Sequence, residues 1–413
     1  MKALTASFIL PISSQPIQDG AVVIDDSKIV AVGKKEEILS KHPQIEVEDF
    51  AVLMPGLINA HTHLDLLFFE TASHTDFFSR LLASWDYRKN LTPANRRSSI
   101  EEGVRQLLRS GTTCVGDAGR YAGVVPQAAN SPIRMALFPE LLTGGGEGTP
   151  ESYETAFSEV EEILGTKSNR LTAGIAPYAA YTLSRHLLKI IGRQAQQAGI
   201  PVKIHAAETF SEMQFFYEST GEIADKLFKE IGWKEVLPPP HRKTPVQYLA
   251  SIGFLDNGPT LIGCNHLSDP DIETLARTGA KIVHSPRANA HLKLGHPPIK
   301  KIMAAGIPFA LGTDGTGSLH SLSLWDEMRH VQNHYEGDAP NAETFLAVAT
   351  LGGAKALGLE DRTGSLEAGK RADLIAVRAP KELAVHDLSA WLISHVTERE
   401  IAAVFVEGKR IKI

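Results

Sequence analysis

Apolar and polar positions alternate in two different rhythms along this chain. Near the start, GAVVIDDSKIVAVG (20–33) holds two β-branched runs joined by the polar turn Asp25-Asp26-Ser27-Lys28, the pattern of strand, turn and strand. The far end is alike: ADLIAVRAP and AAVFVEGKRIKI are short β-branched runs, the second with a turn at Glu407-Gly408. Two β-rich ends around a different middle predict that the termini meet in one small β domain.

The middle has the longer period of helices. SIEEGVRQLLRSGTTCVGD puts Ile100, Val104, Leu107 and Leu108 on one helical face, then stops at Gly111 before a short apolar run. This is helix, break and strand. SRHLLKIIGRQAQQAGIPVKIHAAE repeats it, with Ser184 placed to cap the helix and Gly199 to end it. PDIETLARTGAKIVHS and IKKIMAAGIPFALGTD repeat it twice more. Eight apolar strand candidates result, near Leu57–Ala60, Thr112–Val115, Ile133–Phe138, Leu171–Ala176, Val202–His205, Thr260–Cys264, Lys281–His284 and Ile307–Leu311. Strands alternating with helices imply an α/β fold with parallel pairing, and eight of them fit a (β/α)8 TIM barrel. The alternative is a doubly wound open sheet, but no Gly-rich dinucleotide fingerprint follows the first strand.

Composition narrows the class. The 413 residues are 43% hydrophobic and carry a net charge of -6, with a mean hydropathy of -0.09. That supports a large core and argues against nucleic acid as a partner, because no basic stripe is present. Only Cys114 and Cys264 occur, too few and too far apart for a disulfide framework or a paired-cysteine site. The opening MKALTASFILPISSQ is cut by Pro11 and reads as a strand, not a signal peptide. No run approaches roughly 18 uninterrupted apolar residues, so no membrane span is expected. The expected compartment is the cytoplasm.

The candidate chemistry sits at the strand ends. In NAHTHLD (59–65), His61 and His63 are two apart on a strand, so both point to the same side. Asp117 follows the second strand, and His205 ends the fifth with Glu208 three residues on. His284 ends the seventh, and Asp314 ends the eighth. Such groups are costly to bury unless paired or metal-bound, and barrel active sites lie at the carboxyl ends of strands. His61, His63, His205 and Asp314 would supply three imidazoles and a carboxylate to one divalent ion per chain, Zn²⁺ before Fe²⁺. Glu208 beside them could carry protons between an attacking water and a leaving group.

PGLINAHTHLD, HAAE, HSPRAN, LGTDG and the tail GSLEAGKRADLIAV together resemble the amidohydrolase superfamily. The nearest likeness is to its mononuclear deaminase and chlorohydrolase branch, which holds S-adenosylhomocysteine and methylthioadenosine deaminases, aminodeoxyfutalosine deaminase, guanine deaminase and triazine hydrolases. The resemblance covers nearly the whole chain. It implies a barrel over residues 55–359 and a small β-sandwich built from 1–54 and 360–413. It also implies metal ligands at His61, His63, His205 and Asp314, with Glu208 as proton shuttle. The expected reaction is deamination: a metal-bound hydroxide attacks the amino-bearing carbon of a small heterocyclic substrate, an adenine nucleoside derivative first, and ammonia leaves. Asp314 would take the water's proton. Barrels of this class pair through their helices, so a homodimer is compatible.

Three departures from the family pattern bear on this. The family usually ends strand six with a histidine that holds the hydroxide; that position here is Gly263, with His266 three residues later as the candidate substitute. Tyr178 in PYAAYT stands where nucleoside deaminases often carry a histidine. Arg287 in HSPRAN could bind a substrate carboxylate or form a salt bridge. Other candidates remain two-sided: Asp65 as a ribose ligand or helix cap, Trp85 as a pocket wall or packing, His284 as a substrate neighbour or core residue. Competing functions are a hydrolase expelling chloride or an alkylamine from a triazine-like ring, and a metal-binding barrel impaired in catalysis by Gly263.

Overall fold

The computed structural model describes residues 1–70, 76–142, 149–231, 237–315 and 321–412. The chain opens with β1 (Lys2–Ile9), β2 (Ile17–Asp25), β3 (Lys28–Lys34) and β4 (Glu46–Pro55). Only Gly56 separates β4 from β5 (Leu57–Thr62), the first strand of the middle region. There follow β6 (Thr112–Gly119), β7 (Arg134–Leu142), β8 (Leu171–Ala173), β9 (Ala176–Tyr178), β10 (Lys203–Ala206), β11 (Thr260–Gly263), β12 (Lys281–His284) and β13 (Phe309–Leu311). The chain ends with β14 (Leu374–Val377), β15 (Ile401–Val406) and β16 (Lys409–Ile411).

The two chain ends share one seven-stranded sheet, ordered β16-β15-β14-β4-β1-β2-β3. β4 lies between β1, which it pairs in parallel, and β14, which it pairs antiparallel. The β-rich ends therefore come together as their patterns predict. Alternate residues of β1 and β2 face opposite ways, and both faces are apolar: Leu4, Ala6, Val22 and Ile24 on one, Ala3, Ala21 and Val23 on the other.

The middle region is parallel α/β. β5, β6, β7 and β8 pair in order, with β9 also on β7, and β10 to β13 form a second parallel set. The sets meet at both edges through the parallel bridges Ile175↔Val202 and Thr62↔Asp314. The fourth expected strand is split, with Gly174 and Ile175 between β8 and β9. Ile175 turns to the next strand instead, donating to Pro201 O and accepting from Lys203 N, both at 3.0 Å.

The intervening helices begin and end on local chemistry. Thr92 and Ser184 accept the amides of Asn95 and Leu187, starting helices Pro93–Arg109 and Arg185–Ala198. Such caps stabilise by about 1 kcal/mol each. Gly199, at φ 65°, ends the second helix in a left-handed conformation that costs other residues energy. Two buried polar groups tie the strands together. Lys203 Nζ donates to Ala60 O at 2.6 Å and Gly116 O at 3.2 Å, over the face of Phe138; burial pushes its pKa down to about 7. Arg134 at the start of β7 pairs with Asp373, just before β14, at 3.0 Å and so joins the middle region to the terminal sheet. Among the described residues, no helix is long and apolar enough to cross a membrane.

Candidate active site

The ends of β5, β10 and β13 converge. His61, His63 and His205 are all buried, and each offers a ring nitrogen within 4.8 Å of the others. Asp314 Oδ1 lies 3.2 Å from His63 Nε2 and 3.5 Å from His61 Nε2. The backbone staples the two strand ends: Thr313 N and Asp314 N both donate to His61 O, and Thr62 Oγ1 donates to Asp314 O at 3.0 Å. Both ring nitrogens of His61, and Nε2 of His205, are buried without a hydrogen-bond partner among the described residues. A buried polar atom left unmatched is costly. Lone pairs converging on one point, beside a carboxylate, fit a cation; three imidazoles and one oxygen suit zinc chemistry.

Hydrogen bonds on the far side of two rings set which nitrogen faces the centre. His63 Nδ1 lies 2.7 Å from Ala118 O, which can only accept, so Nδ1 carries the proton and Nε2 turns inward. The nearby Arg88 Nη2, 3.0 Å from the same Nδ1, is then a close charge and not a donor to it. His205 Nδ1 faces Glu208 Oε2 at 3.0 Å and likewise leaves Nε2 to the centre. The surrounding charge favours a cation here. Burial acts to lower the pKa of His63, yet the Glu140 and Asp314 carboxylates lift it to about 9. His61, with less compensation, is pushed well below its ordinary value by burial. Burial also opposes ionisation of Asp314, but the His61 and His63 imidazoles beside it hold its carboxyl well below the usual range.

Glu208 is fixed at its backbone. Its amide donates to Glu212 Oε2 at 2.9 Å, and its carbonyl accepts from Asn265 Nδ2 at 2.9 Å. Asn265 in turn accepts from Asn289 Nδ2, which also faces His284 Nδ1 at 3.3 Å. His284 Nε2 lies 2.8 Å from the Tyr335 hydroxyl, and burial lowers its pKa to about 3, so it is neutral. It stands at the end of a hydrogen-bond chain that reaches Glu208 from behind. Gly263 packs directly against Glu208: a Cβ there would stand 2.8 Å from Glu208 Cβ, and φ is 93°. Glu208 thus crowds the place that the first side-chain carbon of any other residue at 263 would take.

A cavity of about 50 Å³ adjoins the cluster, lined among others by Tyr178, Arg80, Arg88, Ser84, Phe77 and Glu208. That is room for a few waters. Tyr178 lines it, with its ring 4.9 Å from that of His205. Trp85 stands one layer back, edge-on to Tyr178. The structure does not bring the other sequence candidates to this lining. Asp65 is buried and bound by Arg88 at 3.0 and 3.1 Å. Arg287 lies 3.6 Å from Asp326 and 3.7 Å from Glu327. His266 is half-buried beside the ring of Phe210. Asp117 accepts from Leu64 N and the Tyr121 hydroxyl, holding the turn after β5.

Two arginines and a glutamate escaped the sequence reading. Arg80 Nη1 faces Asp314 Oδ2 at 3.8 Å. Arg88 bridges Asp65 and Glu140, the latter at 2.8 Å. A signal existed: Arg80, Ser84 and Arg88 are four apart in helix Phe77–Lys89, on the face that also carries Phe77 and Leu81. Charges on an otherwise apolar face call for buried partners. Glu140 near the end of β7 was the matching clue.

Residues 52–411 match the Amidohydrolase family, and the chain belongs to that family. Residues 20–44 also match an imidazolonepropionase-like composite domain of bacteria. The 5-methylthioadenosine/S-adenosylhomocysteine deaminase of Thermodesulfovibrio yellowstonii is 30% identical over 411 residues, covering 95% of this chain and 88% of its own. The protein of the same name from Moorella thermoacetica is 30% identical, covering 97% and 91%. The structure of Helicobacter pylori aminofutalosine deaminase with methylthio-coformycin overlays with a TM-score of 0.88 at 23% identity, over 100% of each chain. A zinc-bound adenosine deaminase from Xanthomonas campestris overlays at 0.81 with 24% identity, over 99% and 92%. At these identities the two structures show a shared fold. The family read from PGLINAHTHLD, HAAE and LGTDG is the one these comparisons return.

Proposed function

We propose that this protein is a metal-dependent hydrolytic deaminase acting on an adenine nucleoside derivative. The observation that carries the reading is the cluster of buried, inward-facing imidazoles with Glu208 at its edge. The names of the 30%-identical relatives support the substrate class. We read the parallel strands, which meet at both edges, as a (β/α)8 barrel over residues 55–359. The seven-stranded sheet is the small β-sandwich domain of 1–54 and 360–413; its two apolar faces support this. The two cysteines are free and buried, which suits a reducing cytoplasm.

His61, His63, His205 and Asp314 would hold one ion, zinc before iron. When bound, the ion supplies a Lewis acid that brings the ionisation of water near neutral pH. The chain's own groups do the rest. Glu208 takes one proton from the water and gives it to the purine ring nitrogen, where it stays. Asp314, ionised and steadied by Arg80, takes the second proton; it passes to the amino group as the carbon–nitrogen bond breaks, so ammonia leaves and Asp314 is ionised again. Tyr178 walls the base. Arg88, through Asp65 and Glu140, holds the loop after β5 and with it His63. Glu208 needs no partner at position 263, because the Asn265–Asn289–His284 chain and Glu212 orient it.

Two variants test this assignment. His61→Ala should lose bound metal and turnover together. Glu208→Gln should keep the metal and lose roughly 10²–10⁴ in kcat. A Glu208→Gln protein with full turnover would remove Glu208 from the mechanism, and a fully active His61→Ala protein would remove the metal site.

A further inference from the structure

Helix Phe77–Lys89 has cavities on two sides. Phe77, Arg80, Leu81, Ser84 and Arg88 face the metal-ligand cluster. Leu82, Trp85 and Lys89 face a second cavity of about 440 Å³, with Arg88 on the boundary. At about 100° per residue, the two faces are roughly a third of a turn apart, so the helix itself is the wall between them.

This second cavity holds unmet donors. Arg96 lines it and is 7% exposed. Its Nε is buried with no acceptor, and among the described residues it has neither a side-chain hydrogen bond nor an ion pair. Trp85, 8% exposed, also lines the cavity, and its Nε1 is buried without a partner among the described residues. Arg120 and Lys89 add positive charge to the wall. Of the two carboxylates among the described lining residues, Glu159 uses Oε1 for Arg120 and Ala122 N and keeps Oε2 buried without a partner, and Glu230 is exposed. Nε of Arg96 and Nε1 of Trp85 are shut off from the cavity, while the terminal nitrogens of Arg96 are not among the buried atoms and remain open to a ligand; a charge this deep without a partner is expensive. Leu82, Leu142, Ile231 and the Trp85 ring give the described lining an apolar side, with Ser152 also on it. The volume lies within the roughly 300–1,000 Å³ usual for small-molecule sites and exceeds what a lone oxyanion fills.

We propose that this cavity is a second binding site, separate from the metal cluster, for a small organic anion. Its oxyanion head, phosphate or carboxylate, pairs with the terminal nitrogens of Arg96, and its apolar body lies along Leu82, Leu142 and the Trp85 ring. Guanidinium recognises both heads through paired N–H donors. The site does not depend on the deaminase reading.

The test is calorimetric titration of the metal-loaded full chain with phenyl phosphate, benzoate and inorganic phosphate. One or both of the aromatic anions should bind saturably, and more tightly than inorganic phosphate; their order identifies the head. Arg96→Gln should weaken binding about 10–100-fold, while Arg96→Lys, which keeps the charge, loses less. Both variants should retain metal content and nucleoside turnover. Trp85 emission should respond to the ligand, and Trp85→Phe should remove that response. No saturable binding at millimolar anion would overturn the site. So would affinity unchanged in Arg96→Gln, or competition by a nucleoside bound at the metal cluster.

Discussion

Replacing Gly263 by alanine puts a methyl group where Glu208 already stands. The added Cβ would lie 2.8 Å from Glu208 Cβ, 3.0 Å from Cγ and 3.2 Å from Cα. The last of these is backbone and cannot swing aside. The φ of 93° adds backbone strain of roughly 1–3 kcal/mol for a residue with a Cβ. Overpacking adds roughly 1–3 kcal/mol more. Relief of the clash must move Glu208, and a shift of about 1 Å in a reacting group costs on the order of 10²-fold in rate. Glycine-to-alanine exchange should therefore lower stability by about 2–6 kcal/mol. For 413 residues, at roughly 2 cal/mol/K of unfolding entropy each, that is about 2–7 °C in Tm. Turnover should fall about a hundredfold with metal content unchanged. Gly263→His, which restores the residue usual in the family, should be worse and not better. Calorimetric Tm, metal analysis and ammonia release read these effects. A Gly263→His protein with wild-type Tm and equal or higher kcat would refute the packing argument and restore the view that the site lacks a histidine.

Other consequences follow from buried charge. Arg134→Met leaves Asp373 without its partner and should cost about 3–5 kcal/mol, seen as a lower Tm, with Asp373→Asn restoring part of it; an unchanged Tm would show that the junction is not held by this pair. Glu327 is buried, and despite Arg287 its pKa is raised to about 8. The folded state then binds more protons than the unfolded state from about pH 4.5 to 8, so this group makes stability fall as pH rises through that window. Glu327→Gln should flatten that fall, its Tm gaining on the wild type between pH 5 and 8; parallel curves would contradict it.

The strand-end placement of His61, His63, His205 and Asp314 was legible because it depends only on strand period and on where parallel strands stop. Caps such as Ser184 were legible for the same local reason. What escaped was relational. Asp65 carries no mark in its own stretch of Arg88, twenty-three residues on, or of Glu140 on β7. Of the two alternatives left for His284, its partners Tyr335 and Asn289 are those of a core residue. Arg287 sits among acidic side chains, not at the cavity beside the cluster. The contact between Gly263 and Glu208 also needed three dimensions: the sequence shows an absent histidine and not that a Cβ there would stand 2.8 Å from Glu208 Cβ.

The central claim is tested most directly by ammonia release from zinc-loaded wild-type protein, measured against methylthioadenosine, S-adenosylhomocysteine, adenosine, guanine and a chlorinated or alkylamino triazine. The account predicts one ammonia per turnover from at least one adenine nucleoside, abolished by removing the metal and recovered on adding it back. Metal-replete protein that releases nothing from the nucleosides, or that expels chloride or alkylamine from the triazines instead, would contradict it.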